Sequence, residues 1–293
     1  MKNNKVRKAI IPIAGNGTRM FPETFFIKKV MLPVMDRDGA VKPALLFMLE
    51  ELAGAGIEEI YLIVGDGEEE DYNRIFNFEF DEEYAGKLPE KYRKYYSEIH
   101  ELGKRIHTVV QKEKKGFGHA VYQAFEYLEG EPCVMLLGDF LYRSETERSC
   151  TQQLIDAYDL CGKALVGIKK IPIEDSPNYG IVHGKFRTGT NILDSDTMVE
   201  KPDIAYSERN LLVDGFCYAT FGNYLLTEDV FLHLGEVIKV KERNKDLRET
   251  DLTGSLKNAA EKGSLAGVDI RGKSFDVGLP DMYYRTFTEF REG

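Results

Sequence analysis

The stretch KAIIPIAGNGTRM, residues 8–20, joins a continuous apolar run to a glycine-rich segment. Its first part, residues 8–14, is rich in Ile and predicts a strand buried on both faces, which is typical of parallel sheets. In an open α/β sheet, ligands bind beyond the carboxyl ends of the strands. The glycine-rich segment that begins after Ala14 is therefore the first place where we expect a functional site.

Strands and helices alternate along the rest of the first half. Apolar patterns predict strands over residues 60–64, 107–110 and 134–137. They also predict a helix that Pro43 opens and Gly54 closes, and a second helix over residues 120–128. This alternation indicates βαβ units and a parallel sheet covered by helices.

The second half has a more mixed pattern. Strands are predicted over residues 164–169, 179–183, 197–200, 216–221 and 264–270, with a turn-rich link over 184–196. Helices are predicted over residues 226–234, 255–261 and 281–291, the last with an apolar stripe of Met282, Tyr283 and Phe287. Together the halves predict an α/β fold with a Rossmann-like, mixed and mainly parallel sheet flanked by helices.

The composition excludes several classes of protein. The chain has 293 residues, of which 43% are hydrophobic and 30% charged, so it is not a disordered chain and can build a large core. No apolar stretch approaches the ~20 residues needed to span a bilayer, and no membrane partner is expected. A formal charge of −10 disfavours general binding to nucleic acid. Positive charges that bind an anion must therefore be gathered locally.

Organisation and location follow from weaker features. The N-terminal apolar run is short and contains Pro12, which argues against a signal peptide. The cysteines lack CxxC spacing and are typical of reduced thiols in a cytoplasmic protein; they are Cys133, Cys150, Cys161 and Cys217. The polar stretch 68–104 is expected to form surface helices or a long insertion. Without a linker rich in Pro, Gly or Ser, we expect one domain over 1–293 with lobes over about 1–140 and 141–293.

Three interpretations of residues 14–20, AGNGTRM, compete. The dinucleotide fingerprint GxGxxG needs a third glycine where this chain has Met20. The phosphate loop GxxxxGK[ST] is absent, because neither glycine precedes the required Lys-Ser or Lys-Thr. What remains is either a plain turn after a strand or a loop whose backbone N–H groups approach phosphate oxygens, with Arg19 as a fixed cation.

The longer context is more specific. Residues 15–34, GNGTRMFPETFFIKKVMLPV, resemble the signature of the nucleoside-diphosphate-sugar pyrophosphorylases, and among them the branch of bacterial UTP–glucose-1-phosphate uridylyltransferases. Segments similar to that branch follow in order: Gln111 with KGFGHAV at 115–121, LLGD at 136–139, NYGIV at 178–182, VEKP at 199–202, ETDLT more loosely at 249–253 and FDVG at 275–278. The resemblance spans nearly the whole chain.

The resemblance implies a fold of the nucleotide-diphospho-sugar transferase type and a reaction. In that reaction glucose 1-phosphate attacks the α-phosphorus of UTP in line, giving UDP-glucose and pyrophosphate without a covalent enzyme intermediate. Arg19 is then expected to hold the β- and γ-phosphates, Lys29 the α-phosphate and Lys201 the phosphate of the sugar. Lys28 adjoins Lys29, and we choose Lys29 because it keeps the family spacing to MLP at 31–33.

Other candidate residues recognise the base and the sugar. The Gln111 amide has both donors and acceptors and can pair with the uracil edge. By the resemblance, the nucleotide also contacts the glycine-rich loops at Ala14, Gly15, Gly17 and Gly116, and the sugar contacts Gly180 and Glu200. His119 begins an apolar helix and is assigned a structural role.

Two carboxylates are candidates for a metal ion. Asp139 follows the buried strand at 134–137, where a carboxylate is costly unless something pairs with it. Mg²⁺ fits this position, since it is held by one or two carboxylates together with substrate phosphates and waters. Asp276, in an FDVG turn after the strand at 264–270, is expected to supply the second carboxylate.

The chain departs from the family pattern beside the nucleotide site. Lys28 stands where the family has Pro, Val30 replaces an acidic residue that often follows Lys29, and residues 37–41 are an extra stretch. The open alternatives are a sister enzyme using dTTP, CTP or another sugar 1-phosphate, and an inactive homologue that only binds a nucleotide sugar. Met20 disfavours a nicotinamide-dependent oxidoreductase. A homo-oligomer, dimer or tetramer, is also expected.

Overall fold

The structure is a computed structural model that describes residues 5–292. Its strands are β1 (Lys8–Pro12), β2 (Pro33–Met35), β3 (Val41–Pro43), β4 (Glu59–Gly65), β5 (Ile106–Gln111), β6 (Cys133–Leu136), β7 (Phe140–Ser144), β8 (Ala164–Ile171), β9 (Gly180–Phe186), β10 (Ile192–Glu200), β11 (Cys217–Leu226), β12 (Leu265–Asp269) and β13 (Gly272–Asp276). Its α-helices are α1 (Glu23–Phe26), α2 (Ala44–Gly54), α3 (Glu69–Phe76), α4 (Glu82–Lys87), α5 (Glu90–Gly103), α6 (Phe117–Tyr122), α7 (Phe125–Leu128), α8 (Cys150–Cys161), α9 (Ile204–Asn210), α10 (Glu228–Arg243), α11 (Thr253–Glu261) and α12 (Pro280–Glu289). Short 3₁₀ helices cover Thr18–Met20, Lys29–Met31 and Ile173–Asn178.

β1 lies in the middle of the parallel part of the main sheet. It pairs in parallel with β4 on one side and with β6 on the other. Because successive side chains of a strand point to opposite faces, Ile10 packs in the core on one face while Ala9 and Ile11 pack in the core on the other. All three side chains are fully buried, so the double-sided burial expected for this strand is confirmed. Burial of each isoleucine contributes roughly 1.5–3 kcal/mol.

The main sheet has nine strands in the order β5-β4-β1-β6-β11-β8-β12-β10-β9. The first four come from the first half of the chain and are parallel to one another. β11 runs antiparallel to β6 and β8, and β10 runs antiparallel to β12 and β9, so the other strands share one direction. The predicted α/β fold with a mixed, mainly parallel sheet is confirmed.

Helices cover both faces of this sheet. On one face α2 buries Leu45, Leu49 and Leu52, which recur at helical spacing, and α8 packs beside it. On the other face α10 and α11 bury side chains such as Phe231 and Leu256. None of the helices within residues 5–292 has the length and apolar composition that crossing a membrane requires.

The polar stretch 68–104 folds into the surface helices α3, α4 and α5, as expected. α3 buries only Tyr72 and Phe76, so most of its surface is solvated. Gly103 lets the end of α5 approach α3 closely, because a Cβ there would lie 2.1 Å from the Phe76 carbonyl oxygen.

The prediction of a turn-rich link over residues 184–196 is wrong. β9 and β10 continue through it as an antiparallel pair, and only residues 187–191 connect them. The polar side chains in this region caused the error, since an edge hairpin can keep them in solvent while its backbone pairs. Asp194, for example, accepts from Arg187 at 2.8 Å on the surface of the hairpin.

Other differences concern elements that lack a strong apolar pattern. The sequence did not predict α1, α8, α9, β2, β3, β7 and β13. The helix expected at 120–128 is divided into α6 and α7, and α10 extends to Arg243. In α12 the predicted stripe is shifted, because Thr286 and Phe290 are buried while Phe287 is 39% exposed. Thr286 Oγ1 donates to the Asp276 carbonyl at 2.8 Å, and the Phe290 ring packs edge-on against Phe47. The buried face of α12 therefore contains Thr286 and Phe290 and not the predicted stripe.

Candidate active site

The segments after β1 and β6 bring opposite charges to one place. β1 and β6 are parallel neighbours, so these segments leave the same edge of the sheet. Oδ2 of Asp139, just after β6, accepts from Nζ of Lys29 at 2.7 Å and from Nη2 of Arg19 at 3.3 Å. The Asp139 and Lys29 side chains are only 15% and 21% exposed, whereas Arg19 is 58% exposed. Two predicted cations and one predicted carboxylate therefore meet directly.

Gly17 shapes the loop that carries Arg19. Its φ of +63° is a left-handed conformation that favours glycine, and it precedes the short helix Thr18–Met20. A Cβ on Gly17 would lie 2.8 Å from Cγ2 of Thr24, whose Oγ1 donates to the Gly17 carbonyl at 3.0 Å. The loop therefore folds back on itself, with Ala14 buried at its start and Gly15 exposed.

The two adjacent lysines have different partners. Lys29 lies on Asp139, whereas Nζ of Lys28 donates to Glu68 beyond β4. Glu68 is held in place in turn, because its Oε2 accepts from the Gly65 N–H at 3.0 Å. The structure thus places Lys29, and not Lys28, among the charged groups of the site.

Asp276 lies at the end of a strand and not in a turn after the strand at 264–270, which corrects the sequence reading. β13 pairs antiparallel with β7 in a ribbon of its own, with Asp276 opposite Phe140, the neighbour of Asp139. A Cβ on Gly278 would lie 2.6 Å from Oδ2 of Asp139 and 3.0 Å from Oδ1 of Asp276. The two carboxylates thus border one small space that only a glycine leaves open.

This pair of carboxylates fits a hard divalent cation. Burial raises the pKa of Asp276, and the negative charge of Asp139 raises it further against the opposing effects of the Gly278 N–H, Arg19 and Lys29. A cation between the two carboxylates would relieve that repulsion. No cluster of three or more His, Cys, Asp or Glu side chains suited to a metal occurs within residues 5–292. Two carboxylates with room for substrate oxygens suit Mg²⁺ better than a closed zinc site.

Gln111 and Gly116 form a second group at the end of β5. The Gln111 side chain is buried, and its Nε2 lies 3.2 Å from the Gly116 carbonyl oxygen and 3.1 Å from Nδ1 of His119. Nζ of Lys114 donates to Oδ1 of Asn16, which links this segment to the loop after β1. The two nucleotide-binding segments predicted from the sequence are therefore neighbours.

Gly116 also meets the second half of the chain. Its φ is +104°, and a Cβ would lie 2.7 Å from both the N and O atoms of Thr250. The Thr250 N–H donates to the Lys115 carbonyl and the Gly118 N–H donates to the Thr250 carbonyl, both at 2.8 Å. The loosely matching ETDLT segment thus pairs with the loop before α6. Both the positive φ of Gly116 and the lack of space around it restrict position 116 to glycine.

The predicted sugar-binding residues lie together on the β9–β10 hairpin. Gly180 and Glu200 face each other in the strand register, and a Cβ on Gly180 would lie 3.0 Å from Oε2 of Glu200. Lys201 follows with φ of +45°, and its N–H donates to the Tyr179 carbonyl at 3.0 Å. Glu200 and Lys201 are exposed, whereas Gly180 is buried. The hairpin therefore presents one negative and one positive side chain beside a position that has no side chain.

The hairpin and the charged group are near each other but do not touch. No hydrogen bond or ion pair among the described residues joins Lys201 or Glu200 to Arg19, Lys29 or Asp139. Tyr224, on β11, lies within electrostatic reach of both groups: burial raises the pKa of its hydroxyl, and the charges of Glu200 and Asp139 raise it further, against an opposing hydrogen bond to Thr220. Both groups therefore lie near Tyr224 without a direct polar contact between them.

Lys169 is a cation near Asp276 that the sequence did not lead us to predict. Its Nζ lies 5.0 Å from the centroid of the Tyr179 ring, and no carboxylate within residues 5–292 is close enough for an ion pair. Burial lowers the pKa of Lys169, while the charges of Asp175 and Asp276 raise it. The signal in the sequence is the pair Lys169-Lys170 inside the apolar strand ALVGIKKI, because alternation turns one of the two inward.

The fold and the site together define a class of protein. It is an α/β protein whose cations and carboxylates gather at the carboxyl edge of a parallel sheet, where oriented backbone and fixed positive charge suit a polyanionic ligand.

Comparisons with known proteins narrow this class. Residues 8–293 match the family model described as nucleotidyl transferase. A UTP–glucose-1-phosphate uridylyltransferase from Bacillus subtilis is 33% identical over 294 aligned positions, which cover 98% of this chain and 91% of the relative. The chain belongs to the nucleotidyl transferase family.

Solved structures agree with this placement. A crystal structure of apo UDP-glucose pyrophosphorylase superposes with a TM-score of 0.82 at 25% identity, covering 98% of each chain. A UDP-glucose pyrophosphorylase in complex with UDP-glucose superposes with a TM-score of 0.80 at 26% identity, covering 98% of this chain and 99% of the other.

Proposed function

We propose that this protein joins UTP and glucose 1-phosphate to give UDP-glucose and pyrophosphate, as a UTP–glucose-1-phosphate uridylyltransferase. The observation that carries the proposal is the contact of Arg19 and Lys29 with Asp139, with Asp276 across the space beside Gly278. Relatives that carry this activity in their names align with nearly the whole chain.

Charge is the main obstacle to this reaction. Two unit negative charges ~4 Å apart repel by roughly 4 kcal/mol at an effective dielectric constant of 20. In the proposal Arg19 binds the β- and γ-phosphates, which leave as pyrophosphate, and its planar guanidinium suits two oxygens at once. Lys29 lies deeper and binds the α-phosphate, where negative charge accumulates during the in-line attack.

The sugar phosphate approaches from the β9–β10 hairpin. Lys201 binds its phosphate and aligns the attacking oxygen, Glu200 accepts from sugar hydroxyls, and the Gly180 backbone donates to the sugar where a side chain would block it. Holding two reactants in line accounts for much of the rate enhancement in such a transfer.

Mg²⁺ is the proposed cofactor, with Asp139 and Asp276 as its protein ligands. When bound, it neutralises phosphate charge and polarises the α-phosphoryl group. Since Lys29 and Arg19 already lie on Asp139, the same carboxylate orients the cations and contributes to the metal site.

The base is held at the other end of the nucleotide site. Gln111 contacts the uracil, with backbone from the loops at Ala14, Gly15, Gly17 and Gly116. We further propose that residues 1–293 form one domain, with a nucleotide lobe over about 1–140 and a sugar lobe over about 141–293. We expect the protein to work in the cytoplasm as a dimer or tetramer. We expect it to bind neither nucleic acid nor membrane.

The test is pyrophosphate release by the purified protein over an array of triphosphates (UTP, dTTP, CTP) and sugar 1-phosphates. We expect UTP with glucose 1-phosphate to be the best pair and chelation of Mg²⁺ by EDTA to abolish turnover, with recovery on re-addition of Mg²⁺. A different best pair would assign the chain to a sister activity. Tight UDP-glucose binding without release from any pair would make it a binding protein.

A further inference from the structure

We propose that His119 is a positioning residue that, together with the Gly116 carbonyl, fixes which polar atom Gln111 presents to the base. The nucleotide site then accepts a base with an N–H at ring position 3, which uracil and thymine have, and rejects cytosine. This inference rests on the proposed uridine nucleotide and identifies the contact that selects it.

The orientation of the Gln111 amide follows from its neighbours. One end of the amide lies 3.2 Å from the Gly116 carbonyl oxygen, and that oxygen can only accept. The end that faces it must therefore be the NH₂ group, and Oε1 must point the other way. Donor and acceptor chemistry alone therefore fixes the orientation of the amide.

The same nitrogen lies 3.1 Å from Nδ1 of His119. Since the amide nitrogen of Gln111 donates, Nδ1 must accept, and the neutral imidazole then carries its proton on Nε2. Burial lowers the pKa of His119, and the positive charge of Lys115 lowers it further, against weaker opposing effects from Glu113 and Glu242.

On the other side of the imidazole the Nε2 proton faces a second amide donor, so no hydrogen bond forms there, and the shorter contact at Nδ1 decides the tautomer. Nε2 of Gln123 lies 3.4 Å from Nε2 of His119, which is long for a hydrogen bond, and that amide donates instead to the His119 backbone carbonyl at 3.0 Å. His119 therefore contacts Gln111 through Nδ1 alone. Gln123 is a neighbour of His119 that can be replaced without removing a contact of Gln111.

Oε1 of Gln111 is the atom left for a ligand. The residue is 4% exposed, yet Oε1 accepts no hydrogen bond from residues 5–292 and is not among their fully buried polar atoms without a partner. Uracil and thymine place an N–H donor at ring position 3, whereas cytosine has an acceptor there. An acceptor held against an acceptor leaves both buried groups unpaired, which is the most selective kind of mismatch.

Without His119 the Gln111 amide loses one of its two anchors. Leucine in its place fills similar space but cannot accept, so only the Gly116 carbonyl then opposes an amide turned to offer NH₂ to cytosine. Asparagine retains an acceptor close to the position of Nδ1 and should restore the orientation. The helix start itself is held separately, because the Gly118 N–H donates to the Thr250 carbonyl.

The experiment measures binding of UDP and CDP by calorimetry to the wild type, His119→Leu, His119→Asn and the control Gln123→Leu. We expect the UDP-to-CDP affinity ratio to fall at least tenfold in H119L, chiefly through weaker UDP binding. We expect it to stay within about threefold of the wild type in H119N and Q123L. Long-range ¹⁵N–¹H spectra, assigned through H119N, should show a neutral His119 with the proton on Nε2 at pH 7.

Several results would overturn the inference. These are a wild type that does not prefer UDP to CDP, an H119L that loses both affinities by the same factor, or a His119 protonated on Nδ1. Pyrophosphate release by the wild type, measured in parallel, keeps the proposed function separate. If the protein has no turnover but its UDP preference depends on His119, this inference is supported and the proposed reaction is rejected. If the protein has turnover but H119L leaves the affinity ratio unchanged, the proposed reaction is supported and this inference is rejected.

Discussion

The two halves of the candidate site hold their cations in opposite ways. Arg19 and Lys29, from the half built on parallel strands, rest on the carboxylate of Asp139. Lys201, from the antiparallel hairpin, forms no ion pair with any residue of the described chain and is placed by its backbone alone. The first arrangement orients the charges before any substrate binds, whereas the second leaves an exposed charge that a substrate must order.

This difference separates the roles that the two halves can have. Groups that are oriented and partly desolvated stabilise charge in a transition state without reorganising, so their loss lowers turnover. An exposed cation gains its energy mainly on binding the substrate, so its loss raises the KM for that substrate. Substitutions in the two halves test this contrast.

The largest effect is expected for Asp139→Asn. The amide cannot replace the charge that orients Lys29 and Arg19, and it weakens the proposed metal site, so kcat should fall about 10³-fold. Steady-state pyrophosphate release measures it. Asp269→Asn removes a half-buried carboxylate outside the site and should stay within about twofold of the wild type. A D139N protein with wild-type kcat would remove Asp139 from the mechanism.

Lys201→Asn should act on binding. Asparagine tolerates positive φ, so the backbone is preserved while the cation is lost, and the KM for glucose 1-phosphate should rise about 100-fold with a smaller change in kcat. Lys245→Asn is its control, because Lys245 also has positive φ, at +52°, and lies on the exposed surface. If K201N lowers kcat and leaves KM unchanged, the contrast between the two halves fails.

The ion pairs that support each half should differ in stability. Asp36, with Lys42 and Arg143, is 16% exposed, and Asp194, with Arg187 and Lys163, is 42% exposed. We expect Asp36→Asn to lower the free energy of unfolding by about 2–3 kcal/mol at pH 7, and Asp194→Asn by less than about 1 kcal/mol. Urea titrations measure both, and equal losses would contradict the prediction.

The ion pairs of Asp36 also predict how the free energy of unfolding changes with pH. Burial works against ionisation of Asp36, but its bonds to Lys42 and Arg143 outweigh this and lower its pKa in the folded state. Its ionised form therefore stabilises the fold above its unfolded-state pKa, and this contribution is lost as the pH falls below about 4 toward the lower folded-state value. The gap between the wild type and D36N should shrink over that range.

The smallest effect is expected for Lys169→Met. Methionine fills the space, so the loss of a positive charge near Asp276 should lower kcat about tenfold with little change in folding. Lys170→Met is the matched control, since the neighbouring lysine is exposed and lies over the Phe216 ring. Equal effects of the two substitutions would place Lys169 outside the site.

The extent of sequence prediction differs between the same two regions. The main elements of the parallel half were predictable because they carry local signals: β1 is apolar, α2 repeats leucines at helical spacing, and the GNGTRM segment stands at a strand end. The antiparallel half was predicted less well. In β10 four consecutive polar residues, 194–197, interrupt the apolar pattern, so this segment gave no clear strand signal.

By itself the sequence determined the mixed α/β class, the family resemblance and the types of residue that could bind phosphate, since these depend on short-range pattern and on motif. Only the tertiary structure decided that Lys29 rather than Lys28 lies on Asp139, that Asp276 reaches the same space, and that His119 contacts Gln111. The first two depend on pairings between distant segments, such as β13 with β7, and the third on the course of the loop between β5 and α6. Such pairings follow from packing of the whole chain and leave little trace in any one segment.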